Sequence, residues 1–80
     1  MNIERTISWF DINTEELLGE KKIDNISLEA LTGIFKPGNE DPLMYNPYTI
    51  NAREAEELKK IIDLDFDLEC FFYQVNCFQV

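Results

Sequence analysis

The chain has 80 residues, with 16 acidic and 7 basic side chains, no histidine and a formal net charge of −9. That balance argues against nucleic acid and anionic membrane as partners, because phosphate contacts need Lys and Arg, and without His the commonest general base and the Ser-His-Asp and Cys-His arrangements are missing. A chain this short hides only about 60–65 % of the surface its unfolded form exposes, which points to one domain, residues 1–80, around one small core.

Residues 3–12, "IERTISWFDI", are rich in β-branched and aromatic side chains and end at Asn13-Thr14, a turn signal. Ile3, Ile7 and Trp9 share one parity and fit the buried face of a strand, with Arg5 the misfit among them. Residues 17–23, "LLGEKKI", read as the antiparallel return of a hairpin. In "SLEALTGIF" Ser27 is placed as an N-cap, and Leu28, Leu31, Ile34 and Phe35 follow at helical spacing until "KPG" ends the helix. The stretch "NEDPLMYNPY" holds Pro42 and Pro47 and reads as an irregular loop whose large residues pack inward or meet a partner.

A second helix is expected from Asn51, with Glu54 at the position of a capping-box acid and Ala55, Leu58, Ile61 and Ile62 as its buried stripe. Residues 65–80 then read as one long strand. Phe71, Tyr73, Val75 and Cys77 lie on one side, and Cys70, Phe72, Gln74, Asn76, Phe78 and Val80 on the other. Bulk on both sides suits a central strand. The expected fold class is α+β: a small antiparallel sheet in the order β-β-α-loop-α-β, its C-terminal strand central beside the first, with two helices on one face.

Residues 63–69, "DLDFDLE", carry the chain's most distinctive pattern: a carboxylate at every second position and no Lys, Arg or His between them. Asp63, Asp65 and Asp67 match the first three ligand positions of an EF-hand loop. However, Leu68 stands where that loop needs Gly, and Gln74 where it needs a bidentate Glu, so no metal is expected. A carboxylate pair could in principle do glycosidase chemistry, but crowded surface acids are more often simply solvated. With no phosphate loop and no metal-ligand cluster, the chain reads as a non-enzyme without a cofactor. If residues 63–69 are extended, four carboxylates project on one side while Leu64, Phe66 and Leu68 turn inward. Their mutual repulsion is relieved by a partner rich in Lys and Arg, which such a surface also attracts from a distance. The blander reading makes these acids a turn and its solubilising flanks. The candidate partner-binding set is Asp63, Asp65, Asp67 and Glu69, with Glu54, Glu57, Glu40 and Asp41 extending the surface. Tyr45 and Tyr48 would be its aromatic anchors.

Cys70 and Cys77, taken in one strand, would lie about 23 Å apart at roughly 3.3 Å per residue, beyond the reach of a disulfide. Unpaired thiols, no basic-then-apolar leader and no apolar run near the roughly 20 residues of a membrane span lead to the expectation of a cytoplasmic protein.

Taken together, "WFDINTEELLGEKKIDNISLEALTGIF", "DPLMYNPYTINAREAEELKKII" and "DFDLECFFYQV" resemble small bacterial domains of unassigned function found near polymorphic toxin genes. They also resemble the immunity proteins of contact-dependent growth inhibition and bacteriocin systems. The resemblance lies in size, charge and element order and implies a protein that binds one cognate toxin domain, often a basic nuclease, and blocks its active site or substrate path. It assigns no residue a role, so the candidate residues rest on charge placement alone. The competing class is a structural module whose apolar final strand pairs with its own copy across a sheet edge.

Overall fold

The computed structural model describes residues 3–79. Its elements are β1 (Ile3–Asp11), β2 (Leu17–Lys22), α1 (Leu28–Phe35), β3 (Tyr48–Thr49), α2 (Ala52–Leu58) and β4 (Phe71–Gln79). The strands form one antiparallel sheet in the order β2-β1-β4-β3. β1 and β4 pair along their whole length, from Ile3 opposite Gln79 to Asp11 opposite Phe71. The expected α+β class and the central C-terminal strand are both present.

Period-two alternation sets the two faces of the sheet. Ile7, Tyr73 and Val75 point into the core, where they join Leu31 of α1, Ala55 and Leu58 of α2, and Ile23, Met44 and Ile50 from the connections. Both helices therefore lie on one face. They are linked where the Arg53 guanidinium donates to the Ile34 carbonyl at 2.9 Å. Arg5, the misfit in the sequence pattern, lies on the same face and donates through Nη2 to the Leu43 carbonyl at 2.7 Å. This bond ties the 39–47 loop to the sheet.

Local chemistry explains the ends of the elements. Asp11 Oδ1 accepts from the Asn13 and Thr14 amides at 2.8 and 2.9 Å, which turns the chain back toward β2. Beyond the turn, the ladder shifts register between Trp9 and Phe10. Trp9 lies over Gly19, where an added Cβ would collide with the indole. Ser27 Oγ accepts from the Ala30 amide at 3.1 Å, and α1 ends on Lys36 in a left-handed conformation with φ 49°. Glu54 Oε1 accepts from the Asn51 amide at 3.0 Å, one arm of the expected capping box.

Three boundaries differ from expectation. α2 stops at Leu58, and tight turns follow, with the Lys60 amide bonded to Glu57 O and the Ile61 amide to Leu58 O. Ile61 is consequently exposed instead of extending the buried stripe. β4 begins at Phe71, not at residue 65, because residues 63–67 join no ladder and residues 68–70 turn. The two-residue β3 was hidden inside the loop signal between Pro47 and Ile50. No helix among the described residues is long and apolar enough to cross a membrane.

Candidate functional site

The 63–69 segment follows its sequence pattern residue by residue. Asp63, Asp65, Asp67 and Glu69 are exposed, while Leu64, Phe66 and Leu68 are half-buried and pack on the core. Phe66 holds the segment down, its ring meeting Tyr73 edge-on with centroids 4.9 Å apart. The Asp67 amide adds a hydrogen bond to the Tyr73 hydroxyl at 2.9 Å. Asp67 also shapes the turn into β4, since its Oδ1 accepts from the Glu69 and Cys70 amides, each at 3.3 Å. Among the described residues, no Lys or Arg forms an ion pair with any of the four acids; the pairs present are Lys22–Glu4, Arg53–Glu54 and Lys60–Glu57.

The other candidates separate. Glu57 is half-buried and pairs with Lys60 at 3.2 Å. Glu54 is buried, bonded to the Asn51 amide and paired with Arg53, so it is a helix cap and not a surface acid. Asp41 is also buried. Its carboxylate accepts from the Tyr45 amide at 2.8 Å, the Asn46 amide at 3.1 Å and the Tyr48 hydroxyl at 2.8 Å. These bonds occupy both oxygens and remove Asp41 and the Tyr48 hydroxyl from any docking surface. Tyr48 is half-buried, with its ring 5.9 Å from that of Phe35.

The electrostatics of that pair follow from the geometry. Burial pushes the Asp41 carboxyl upward, but the three donors together with the charge of Arg5 outweigh it and hold the group below the ordinary carboxylate range. Tyr48 is pushed up to about 12, by burial first and then by its bond to the Asp41 carboxylate.

Glu40 and Tyr45 remain exposed. Tyr45 lines a pocket of about 260 Å³ with Ile3, Cys77 and Gln79, beside the C-terminal end of β4. The acidic turn adjoins its N-terminal end. From Phe71 to Cys77 the strand covers about 20 Å at roughly 3.3 Å per residue. Tyr45 and the stripe therefore sit near opposite ends of β4.

The structure adds acids that sequence reasoning overlooked. The Ile12 amide donates to the Cys70 carbonyl at 3.1 Å, which brings the β1–β2 turn alongside the 67–70 turn. Cys70 registers the crowding. Its thiol is pushed up by its hydrogen bond to Asp67 and by the charges of Asp67, Glu69 and Asp11. Glu15 and Glu16, exposed in the same turn, extend this acidic end of the sheet. The signal was available: if β4 lies antiparallel beside β1, the end of β1 must face the start of β4. Cys70 and Cys77 are both free thiols.

The comparison with curated proteins finds no match. Residues 4–76, most of the chain, match the family described as "Domain of unknown function (DUF7683)". The chain belongs to the DUF7683 family.

Proposed function

We propose that this domain is an immunity-type inhibitor, a protein that docks on a cognate cationic toxin domain and neutralises it. The observation that carries the reading is the 63–69 segment, whose apolar side chains anchor it to the core while its four exposed carboxylates form no ion pair with Lys or Arg among the described residues. Like charges at this spacing oppose folding of the isolated chain, and they gain a role when a Lys- and Arg-rich surface approaches. Steering by such a field accelerates association by about 10–10³-fold and fades as salt rises. A basic nuclease domain fits this requirement, because the surface it offers to phosphates is the one these carboxylates would occupy.

The test begins with the neighbouring genes: where one encodes a secreted protein with a basic C-terminal domain, that domain is co-expressed with this chain, reading growth rescue and one-to-one complex formation. Asp63→Lys with Asp65→Lys is the informative variant, since neither carboxylate holds the turn as Asp67 does. The association rate at low salt is expected to fall at least tenfold, and an unchanged rate would remove the stripe from the interface. The self-association alternative meets a topological obstacle at the final strand, which pairs with β1 along its length and with β3 at Gln74 and Val75. Sedimentation as a salt-insensitive dimer would nevertheless favour it over the inhibitor reading.

A further inference from the structure

The sheet face opposite the helices carries an apolar cluster at the end where the two turns meet. Phe10 and Phe72 are cross-strand partners whose rings stack with centroids 4.8 Å apart. Leu17 pairs with Phe10 from the β2 side and is 49 % exposed. Ile12, the first residue of the turn after β1, bonds its amide to the Cys70 carbonyl and is 45 % exposed. None of these side chains belongs to the core or its packed margin. Asp11, Glu15 and Glu16 at the β1–β2 turn and Asp67 and Glu69 in the adjoining 67–70 turn place acids at this end of the sheet.

We propose that this cluster is the anchoring patch for the cationic partner, seating an apolar side chain that the partner presents among its lysines and arginines. This rests on the inhibitor reading and extends it by moving the anchor from Tyr45 and Tyr48 to Phe10, Ile12, Leu17 and Phe72. Charge selects the occupant. A second copy of the chain would bring the same acidic rim against itself, opposing its own association, whereas a basic surface neutralises the rim and lets the apolar centre dehydrate. Apolar centre and charged rim together match the anatomy of protein interfaces, where a few buried anchors carry most of the binding energy.

The experiment titrates the isotope-labelled domain with an amphipathic helical peptide of leucine and lysine and, as control, its leucine–glutamate counterpart. The lysine peptide is expected to shift the amide resonances of residues 10–17 and 70–72, with binding that weakens as salt rises, while the glutamate peptide leaves them unchanged. Ile12→Ser with Leu17→Ser, which leaves the net charge at −9, is expected to weaken binding at least fivefold without altering the spectrum elsewhere. Shifts centred on Tyr45 and Cys77, equal binding of both peptides, or full affinity in the Ile12/Leu17 variant would each overturn the patch. The two proposals separate in the toxin-binding assay: if Asp63→Lys with Asp65→Lys slows association while the Ile12/Leu17 variant binds normally, the patch fails and the inhibitor reading stands. The reverse pattern retains the patch and removes the stripe.

Discussion

Two irregular acidic segments lie on this small sheet, and they use the same functional group in opposite ways. In the 39–47 loop the Asp41 carboxylate points inward and organises the chain around itself, taking two backbone amides and a tyrosine hydroxyl. The loop holds Met44, fully buried with φ 55°, in a conformation non-glycine residues seldom adopt. In the 63–69 segment the apolar residues bind the chain down, and the carboxylates at 63, 65 and 69 accept no hydrogen bond from the rest of the molecule among the described residues. Donor supply makes the difference. A buried carboxylate persists only where donors surround it, while an exposed one beside like charges adds field without adding structure. Asp41 therefore belongs to the fold, and the stripe is left for what approaches from outside.

The largest effects are expected from the apolar side chains beneath each segment. Met44→Ala should lower unfolding stability by about 2–5 kcal/mol, and Phe66→Ala by about 2–4 kcal/mol because its ring is only half-buried. Denaturant titration checks both, and a loss below about 1 kcal/mol at either site would mean that the segment does not rest on the core as described. Next comes Asp41→Asn, which keeps the shape but weakens the bonds to the Tyr45 and Asn46 amides and should lower the melting temperature. If Asp41 were merely another solvated acid, nothing would change.

The pH dependence sharpens the same contrast. Asp41 titrates lower in the folded chain than in the unfolded one, so its stabilisation is present above the ordinary carboxylate pKa and is lost as pH falls through the lowered folded value. Tyr48 behaves inversely. Its pKa is raised to about 12, so the stabilisation it contributes is complete below the ordinary tyrosine value near 10 and disappears as pH rises toward 12. The stability gap between the wild type and Asp41→Asn should therefore close in acid. A gap that persisted at a pH well below the carboxylate range would assign the loss to packing instead. The smallest effect is expected from Asp63→Asn alone, within about 0.5 kcal/mol of wild type.

Much of this arrangement was legible in the sequence. The Ser27 cap, the 3.6-residue spacing of α1 and the alternation along residues 3–11 and 71–79 located the main elements and their buried faces. The alternation of residues 63–69 also predicted which side chains point outward. Period-two patterning, however, reports an extended chain and not whether its amides have ladder partners, so it places the start of β4 six residues before Phe71. The helical stripe was likewise extended to Ile62, because two isoleucines at the right spacing look the same whether the helix continues or breaks into turns. The burial of Asp41 and Glu54 and the hydrogen bond of Tyr48 are illegible for a different reason. Charge placement along a chain does not show which acids find donors, and those contacts form only when the loop closes. The acidic rim at Asp11, Glu15 and Glu16 followed from pairing β1 with β4 antiparallel, a step that strand order alone did not supply.

The most direct test of the division between structural and surface acids is the unfolding stability of the triple variant Asp63→Asn, Asp65→Asn, Glu69→Gln, measured at low and at high salt. If the stripe serves an external partner, the variant is at least as stable as the wild type at low salt, and any advantage shrinks as screening shortens the reach of the charges to about 3 Å at 1 M. A variant clearly less stable than the wild type at both salt concentrations would show that these carboxylates hold the fold together, and the docking surface proposed here would have no basis.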